Sequence, residues 1–291
     1  MRKSIFVPTL FSFLCLFLLA ACNGKKDKQH PVLAVTIEPL RYLTEQIAGK
    51  DFEVITLVPN GNSPETYEPT PSQIAHLQRS AAFFALGHLG FEAQWIEKFA
   101  ELYPKMPVCK TDEGLSLIKE ASSHESHAQG VDPHVWFSPR NMLQMADSIS
   151  QTLCRLFPQK ESVFKANTLH LQADIKATDD TIRNLLKNRS VAFVCYHPTL
   201  TYFAREYNCI QIPIEAHGKE PSARALQQLI QQAKAHHVKV VLVEKEFDLR
   251  YATVIAQELG AQAIQINTLS YQWRKEILRT AYELKKHSTD K

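Results

Sequence analysis

Short apolar runs alternate with stretches of helical periodicity from residue 32 onward. Val32 to Ile37 is apolar apart from one threonine and predicts a buried strand, and Phe52 to Val58 predicts a second one. Between them, the segment from Pro39 to about Ala48 has the spacing of an amphipathic helix. The same alternation predicts a helix at 72–79, a strand at 81–86, a helix at 91–102 and a strand at 107–110. Strands separated by helices are typical of a parallel sheet covered by helices.

The middle of the chain has no strand pattern. Residues 139 to 188 form two helical stretches divided at Pro158, because a proline is costly inside a helix. In the second stretch, apolar residues recur at steps of seven and four and mark one face of a long helix: Phe164, Leu171, Ile175, Ile182 and Leu186.

The alternation of strands and helices resumes beyond residue 190. It predicts strands at 191–196, 210–214, 239–243 and 263–266, helices at 199–207, 222–235 and 249–259, and a closing helix from Tyr271. We therefore expect two α/β lobes with parallel sheets, an N-terminal lobe at 32–138 and a C-terminal lobe at 191–291, joined by a helical linker at 139–190. Ligands of open parallel sheets bind at the carboxyl ends of strands, which places the expected binding site in the cleft between the lobes.

The N-terminus has the features of a secretion signal. Met1-Arg2-Lys3 is positively charged, and Ile5 to Leu19 is apolar but short for a membrane span. The segment Leu18 to Cys22 resembles the lipobox of bacterial lipoproteins, which implies cleavage after residue 21, a diacylglycerol on the Cys22 thiol and a polar tether at 22–31. These features predict that the protein is anchored to a membrane by lipid outside the cytoplasm, in a periplasm or the cell envelope. An ordinary signal followed by a chance cysteine is the alternative.

Composition and charge narrow the function classes. The 291 residues are 45% hydrophobic and 22% charged, which excludes a disordered chain or a small disulfide scaffold. Loss of Arg2 and Lys3 with the signal leaves 31 basic and 30 acidic residues, so nucleic acid is not an expected partner. Four cysteines remain beyond Cys22, and their pairing stays open.

Side chains able to bind a metal follow several predicted strands. Glu65 lies in the loop after the second strand, His134 in the segment 132–136, His197 directly after Tyr196, and Asn267 directly after Ile266. Imidazole and carboxylate groups are common zinc ligands. Each residue also has a structural alternative: a hydrogen-bonded turn histidine for His134, a solvated carboxylate for Glu65, and a cap or turn former for Asn267.

Five segments occur in the order found in the metal-receptor proteins of ABC importers. They are Val54 to Pro71, Asp132 to Asn141, Tyr196-His197, Gly218 to Ser222 and Gln265 to Leu269. From about Val32 to its C-terminus the chain resembles this family. The resemblance implies two α/β lobes joined by a rigid long helix, one divalent cation between them, and delivery of that ion to a membrane permease.

The chain departs from the family at two of the implied ligand positions. Glu65 stands where the family usually has His, and Asn267 where it has Asp, whereas His134 and His197 match. The implied site then has two imidazoles, one carboxylate and either an amide oxygen or water. Zinc is the favoured ion, and manganese or ferrous iron is admitted by the oxygen ligands. The loop Ser122 to Ala128, with its two histidines, resembles a shortened form of the family's His-rich loop.

Two other functions are alternatives to a receptor without enzymatic activity. A metal-dependent hydrolase needs a general base, for which Glu68 or Glu220 is available, but the chain has no HExxH helix and no nucleophile elbow. A surface adhesin is neither favoured nor excluded by the residues. Cys195 points to the same side of its strand as His197 and is a softer candidate ligand, with a packed core cysteine as the alternative.

Overall fold

The N-terminal lobe is built on a four-stranded parallel sheet. The computed structural model describes residues 30–119, 130–215 and 221–290 of the chain. The strands of the first sheet lie in the order β2-β1-β3-β4 and are β1 (Val32–Val35), β2 (Glu53–Thr56), β3 (Ser80–Ala85) and β4 (Val108–Lys110). All four residues of β1 are buried. A central strand covered on both faces explains the unbroken apolar run in the sequence.

Local sequence signals set the ends of the helices that cover this sheet. The helices are α1 (Glu38–Ala48), α2 (Pro71–Leu77) and α3 (Gly90–Leu102). Proline stands in the first turn of α1 and of α2, where its missing N–H group has no partner to lose. Thr70 and Gln73 form a capping box at the start of α2. Gly49, with φ of 73°, follows the last turn of α1.

Two helices form the connection between the lobes. They are α4 (Pro139–Leu156) and α5 (Glu161–Leu186), separated by a 3-10 turn at Pro158–Lys160. The predicted apolar face of α5 is buried along its whole length, and two threonines complete it, Thr168 and Thr178. The Thr168 hydroxyl donates to its own helix at the Phe164 carbonyl oxygen, at 2.7 Å, which satisfies the buried oxygen.

The C-terminal lobe repeats the architecture of the first. Its parallel sheet has the order β7-β6-β8-β9 and consists of β6 (Ala192–Cys195), β7 (Ile210–Pro213), β8 (Val240–Glu244) and β9 (Gln262–Ile266). Its helices are α6 (Thr201–Tyr207), α7 (Ala223–Ala235), α8 (Leu249–Leu259) and α9 (Trp273–Lys286). In each sheet the first strand in sequence lies between the second and the third. The predicted fold of two parallel-sheet lobes is confirmed.

One hydrophobic core runs through both lobes. It contains buried residues of the first sheet, the inner faces of α4 and α5, Trp273 of α9, and one face of the second sheet, including Phe193 and Leu242. The opposite face of the second sheet has a separate, smaller cluster that includes Val194, Val241 and Ile255. The lobes are therefore joined by shared packing as well as by the connecting chain. Among the described residues, no helix combines the length and apolar character needed to cross a membrane.

One small sheet was not predicted. β5 (Arg189–Ser190) pairs antiparallel with β10 (Thr289–Asp290) near the C-terminus. Two residues per strand are too few to show an alternation of apolar and polar side chains. In the described segments, Cys109, Cys154 and Cys195 are free thiols.

A buried glutamate side chain forms hydrogen bonds at the edge of the first sheet where its strands end. Glu92, in the first turn of α3, is only 1% exposed. Its oxygens accept hydrogen bonds from the Thr36 hydroxyl at 2.6 Å and from the backbone N–H groups of Leu86 at 2.7 Å, Gly87 at 2.6 Å and Leu89 at 3.4 Å. Burial raises the pKa of Glu92, and these hydrogen bonds oppose that rise. Glu92 thereby holds the loop that leads from β3 into α3.

Replacing Glu92 with alanine is expected to lower the free energy of unfolding by about 3 kcal/mol, because buried N–H groups lose their acceptor. Urea denaturation of the purified protein measures this change. Glu97→Ala, at an exposed position of the same helix, is the control and should change stability by less than about 0.5 kcal/mol. Similar losses in both variants would contradict the role assigned to Glu92.

Candidate metal site between the lobes

The structure brings two of the predicted ligands into contact. His134 lies just before a 3-10 turn at Val135–Phe137, and His197 lies two residues after β6. Their Nε2 atoms are 3.2 Å apart, and their rings meet edge to face with centroids 4.9 Å apart. Both residues are buried, with exposed fractions of 2% and 9%. The two imidazoles come from segments 63 residues apart in sequence.

In each ring, the Nδ1 atom, which faces away from the other imidazole, is hydrogen-bonded to a carboxylate. The Nδ1 atom of His134 is 2.9 Å from Oδ1 of Asp132, which also accepts the His134 backbone N–H at 2.8 Å. The Nδ1 atom of His197 is 2.9 Å from Oε2 of Glu215. An ionised carboxylate can only accept, so each Nδ1 carries the hydrogen. In a neutral ring, the Nε2 lone pair then faces the other imidazole.

The charges of these pairs are reflected in their pKa values. Burial favours a raised pKa for Asp132, but the neighbouring His134 and the hydrogen bonds to this carboxylate lower it below its ordinary value. Burial by itself lowers the pKa of His197, whereas its hydrogen bond to Glu215 and the charge of Glu244 reverse the direction and raise it. The surroundings of the rings are therefore negative and favour a cation between them, either a proton or a metal ion.

The spacing of the two nitrogens suits one shared ion. Zinc–nitrogen bonds of about 2.0–2.1 Å at a tetrahedral angle place two nitrogen ligands about 3.3 Å apart. The observed separation of the Nε2 atoms is 3.2 Å. Without a cation, two lone pairs at this distance repel each other.

The imidazoles open on a small cavity between the lobes. Its walls combine the two imidazoles with Trp136, Phe247 and Leu269, three carboxylates and several smaller groups. The volume of the cavity is about 20 Å³. That space holds a water molecule or a metal ion, whereas sites for organic ligands occupy several hundred Å³.

Glu65 lies on the wall of the same cavity. Its Oε2 atom accepts the backbone N–H of Gly90 at 3.1 Å, while its Oε1 atom is buried without a hydrogen-bond partner. A Cβ atom on Gly90 would lie only 2.5 Å from the Glu65 carbonyl oxygen, so only glycine permits this close approach. Across residues 30–119, 130–215 and 221–290, no three or more His, Cys, Asp or Glu side chains already surround one ion position. Glu65 thus lines the cavity but does not complete a group of three such side chains with the two imidazoles.

Asn267 directly follows β9, next to the cavity. Thr268 and Leu269 line the cavity, whereas Asn267 is not among the lining residues. Its Oδ1 atom is nevertheless buried without a hydrogen-bond partner. The geometry thus leaves the predicted role of Asn267 as a fourth ligand untested.

Three carboxylates at the site were missed in the sequence: Glu215, Glu244 and Glu246. Glu244 ends β8 and is 1% exposed; it accepts the His197 backbone N–H at 3.2 Å and the Thr199 hydroxyl at 2.7 Å. Burial raises the pKa of Glu244 to about 7, although these hydrogen bonds and the charge of His197 oppose the rise. All three residues lie at or just after strand ends, the same signal that identified His197.

Other sequence candidates lie away from the cavity or outside the described residues. Glu68 is exposed. Cys195 is fully buried, and burial holds the pKa of its thiol well above the usual range, which fits the core-cysteine alternative. Cys22, the loop Ser122 to Ala128 and Glu220 lie outside the residues that the structure describes.

Two tryptophans form hydrogen bonds between segments of the two lobes beside the cavity. The indole N–H of Trp136 donates to the Thr268 carbonyl oxygen at 2.9 Å. The indole N–H of Trp273 donates to the Trp136 carbonyl oxygen at 2.8 Å. Both tryptophans are about 1% exposed. These buried hydrogen bonds fix the segment that follows His134 against the segment that follows β9.

Comparison with known proteins agrees with this architecture. The profile of the family described as zinc-uptake complex component A, periplasmic, matches residues 33–283. The high-affinity zinc uptake system protein ZnuA of Bacillus subtilis is 28% identical over 283 residues, covering 88% of this chain and 86% of that protein. The zinc-binding lipoprotein AdcA of Streptococcus pneumoniae is 26% identical over 277 residues, covering 90% of this chain and 55% of AdcA, so the chain spans about half of that relative.

A solved structure matches the fold closely. The crystal structure of a ZnuA deletion mutant with zinc bound has a TM-score of 0.83 and 32% sequence identity, covering 90% of this chain and 99% of that chain. These comparisons confirm the family resemblance that the motifs indicated. The family profile extends from β1 into α9, and the chain therefore belongs to the zinc-uptake complex component A family, the metal-binding substrate-binding proteins of ABC importers.

Proposed function

We propose that the protein binds one divalent metal ion, zinc by preference, between its lobes and delivers it to an ABC permease for import. His134, His197 and Glu65 are the proposed ligands, and Asn267 or water takes the fourth position. The names of the relatives support zinc as the cargo. Metal import by a binding protein requires reversible coordination and no chemical change of the ion.

The observation that carries this proposal is the pair of Nε2 atoms 3.2 Å apart in a buried cavity. Each ring is oriented by a carboxylate, as metal-binding histidines usually are. The unpartnered Oε1 atom of Glu65 on the same wall supplies an acceptor that a cation would satisfy.

A binding role without catalysis fits the site better than hydrolysis. The cavity has room for one ion or water molecule and little else, whereas a hydrolase must also admit its substrate. Glu68, one of the two candidate bases, is exposed and does not line the cavity.

The choice of zinc rests on two imidazoles. Nitrogen ligands and the Irving–Williams order give zinc a higher affinity than manganese at such a site. Manganese is the second candidate, because Glu65 contributes an oxygen in place of a further nitrogen.

Lipid anchoring would keep the protein near its permease. The signal at residues 1–21, Cys22 and the tether at 22–31 support attachment outside the cytoplasm. Mass spectrometry of the N-terminal peptide from the native host tests whether Cys22 carries acyl chains.

Stripped with chelator, the purified protein should take up about one zinc ion per chain at micromolar metal. His134→Ala and His197→Ala should each lose most of the affinity, because each removes a nitrogen ligand. Glu65→Ala should lose less or change metal preference, and Asn267→Ala should lose least. Isothermal titration with zinc and with manganese measures these changes.

His170→Ala, on α5 and exposed, is the control for loss of an imidazole and should bind like the unaltered protein. Equal, negligible losses in the four site variants would remove the proposed site. Less than about one zinc per chain in the unaltered protein would remove the proposed function.

Asp132→Asn should weaken zinc binding about 10- to 100-fold, because the amide no longer fixes Nδ1 as the protonated nitrogen of His134. Asp180→Asn, at an exposed position of α5, should leave the affinity unchanged. A zinc titration of both variants checks this, and unchanged affinity in Asp132→Asn would refute the orienting role of that carboxylate.

Gly90→Ala should lower zinc affinity about tenfold, since the added Cβ displaces the loop that carries Glu65. In a Glu65→Ala background the same substitution should have no further effect on affinity. Zinc titrations of the two single variants and the double variant complete the cycle. Additive losses would show that Gly90 acts on the site by another route.

A further inference from the structure

A second carboxylate on the cavity wall has an oxygen without a partner. Glu246 lies two residues after β8 and lines the same cavity as His134 and His197. It is half-buried, and its Oε1 atom is shielded from solvent and has no hydrogen-bond partner. Leaving a carboxylate oxygen buried in this way is costly unless a cation approaches it.

The other carboxylates near the imidazoles have defined structural partners. Asp132 and Glu215 hold the Nδ1 atoms of the two rings. Glu244 uses both oxygens, one for the His197 backbone and one for Thr199. Among the described residues that line the cavity, Glu65 and Glu246 are the carboxylates that retain a buried oxygen without a partner.

Glu246 is also electrostatically coupled to the site. Burial raises the pKa of its carboxyl group, and the nearby charge of His197 is among the influences that lower it. Glu246 and His197 both line the cavity. Glu65 belongs to the N-terminal lobe and Glu246 to the C-terminal lobe, so the two carboxylates approach from different lobes.

We propose that Glu246 is a ligand of the bound ion and supplies the second carboxylate of the site. The inference rests on the proposed function and assigns the fourth position, which otherwise falls to Asn267 or water. The ligands are then two imidazoles and two carboxylates. Because manganese favours oxygen ligands, the second carboxylate makes the difference between zinc affinity and manganese affinity smaller.

Glu246 and Asn267 follow adjacent strands of the second sheet. Glu244 pairs with Ile266 in the register of β8 and β9. The residues just beyond these partners therefore leave the sheet at adjacent strand ends. This adjacency is the reason to test whether a carboxylate at position 267 can replace the one at position 246.

The test compares Glu246→Gln with the unaltered, chelator-stripped protein. Zinc affinity should fall at least tenfold and manganese affinity more, because manganese depends more strongly on oxygen ligands. Cobalt(II) serves as a spectroscopic probe, and loss of a coordinated oxygen should change its visible absorption. Glu258→Gln, on the exposed side of α8, is the matched control and should change neither property.

Rescue separates a ligand from a structural residue. Asn267→Asp in the Glu246→Gln background should restore zinc affinity and the cobalt(II) spectrum, because a carboxylate returns to the adjacent strand end. If Glu246→Gln does not fold, Glu246→Asp retains the charge with a shorter reach, and its cobalt(II) spectrum must still differ from that of the unaltered protein.

The outcomes distinguish failure of the ligand role of Glu246 from failure of the proposed metal-binding function. If Glu246→Gln binds zinc within twofold of the unaltered protein and His134→Ala does not, Glu246 is not a ligand and the metal site stands. A weaker affinity with an unchanged cobalt(II) spectrum would also overturn the ligand role, since it would make Glu246 a positioning residue. Absence of zinc binding in the unaltered protein would remove both proposals.

Discussion

The two histidine–carboxylate pairs are the interactions on which the site depends. Asp132 and Glu215 each fix the Nδ1 side of a ring and direct the opposite nitrogen into the cavity. With both lone pairs aimed at one point, the protein gains by placing a cation there. The same carboxylates make the surroundings negative, so that one arrangement provides both orientation and charge.

The shared core keeps this arrangement in place. Buried residues of the first sheet, the connecting helices and one face of the second sheet form a single cluster. Trp136 and Trp273 add buried hydrogen bonds across the lobes close to His134. Because close-packed interiors resist deformation, the ligands can adjust by rotation of side chains while the lobes keep their contact. Glu65, a proposed ligand, accepts the backbone N–H of Gly90 in this arrangement.

Much of the fold was predictable because its elements have clear local signals. Three local signals predicted elements of the fold: the apolar run at Val32, the apolar face of α5 and the proline at 158. The observed ends of these elements differ from the predicted ends by only a few residues. The β5–β10 pair escaped prediction because each strand has two residues and its partner is distant in sequence. The supporting role of Glu215 escaped for a different reason, since its partner His197 belongs to another strand end.

The sequence by itself determined the order of strands and helices, the two-lobed class and the chemical identity of the candidate ligands, because periodicity and residue type are local properties. Only the tertiary structure decided that His134 and His197 meet at their Nε2 atoms, that Glu65 faces Gly90, and that Glu246 lines the cavity with an unpartnered oxygen. The physical reason is that these relations depend on how strand ends distant in the chain are packed together. Side-chain direction and burial follow from that packing.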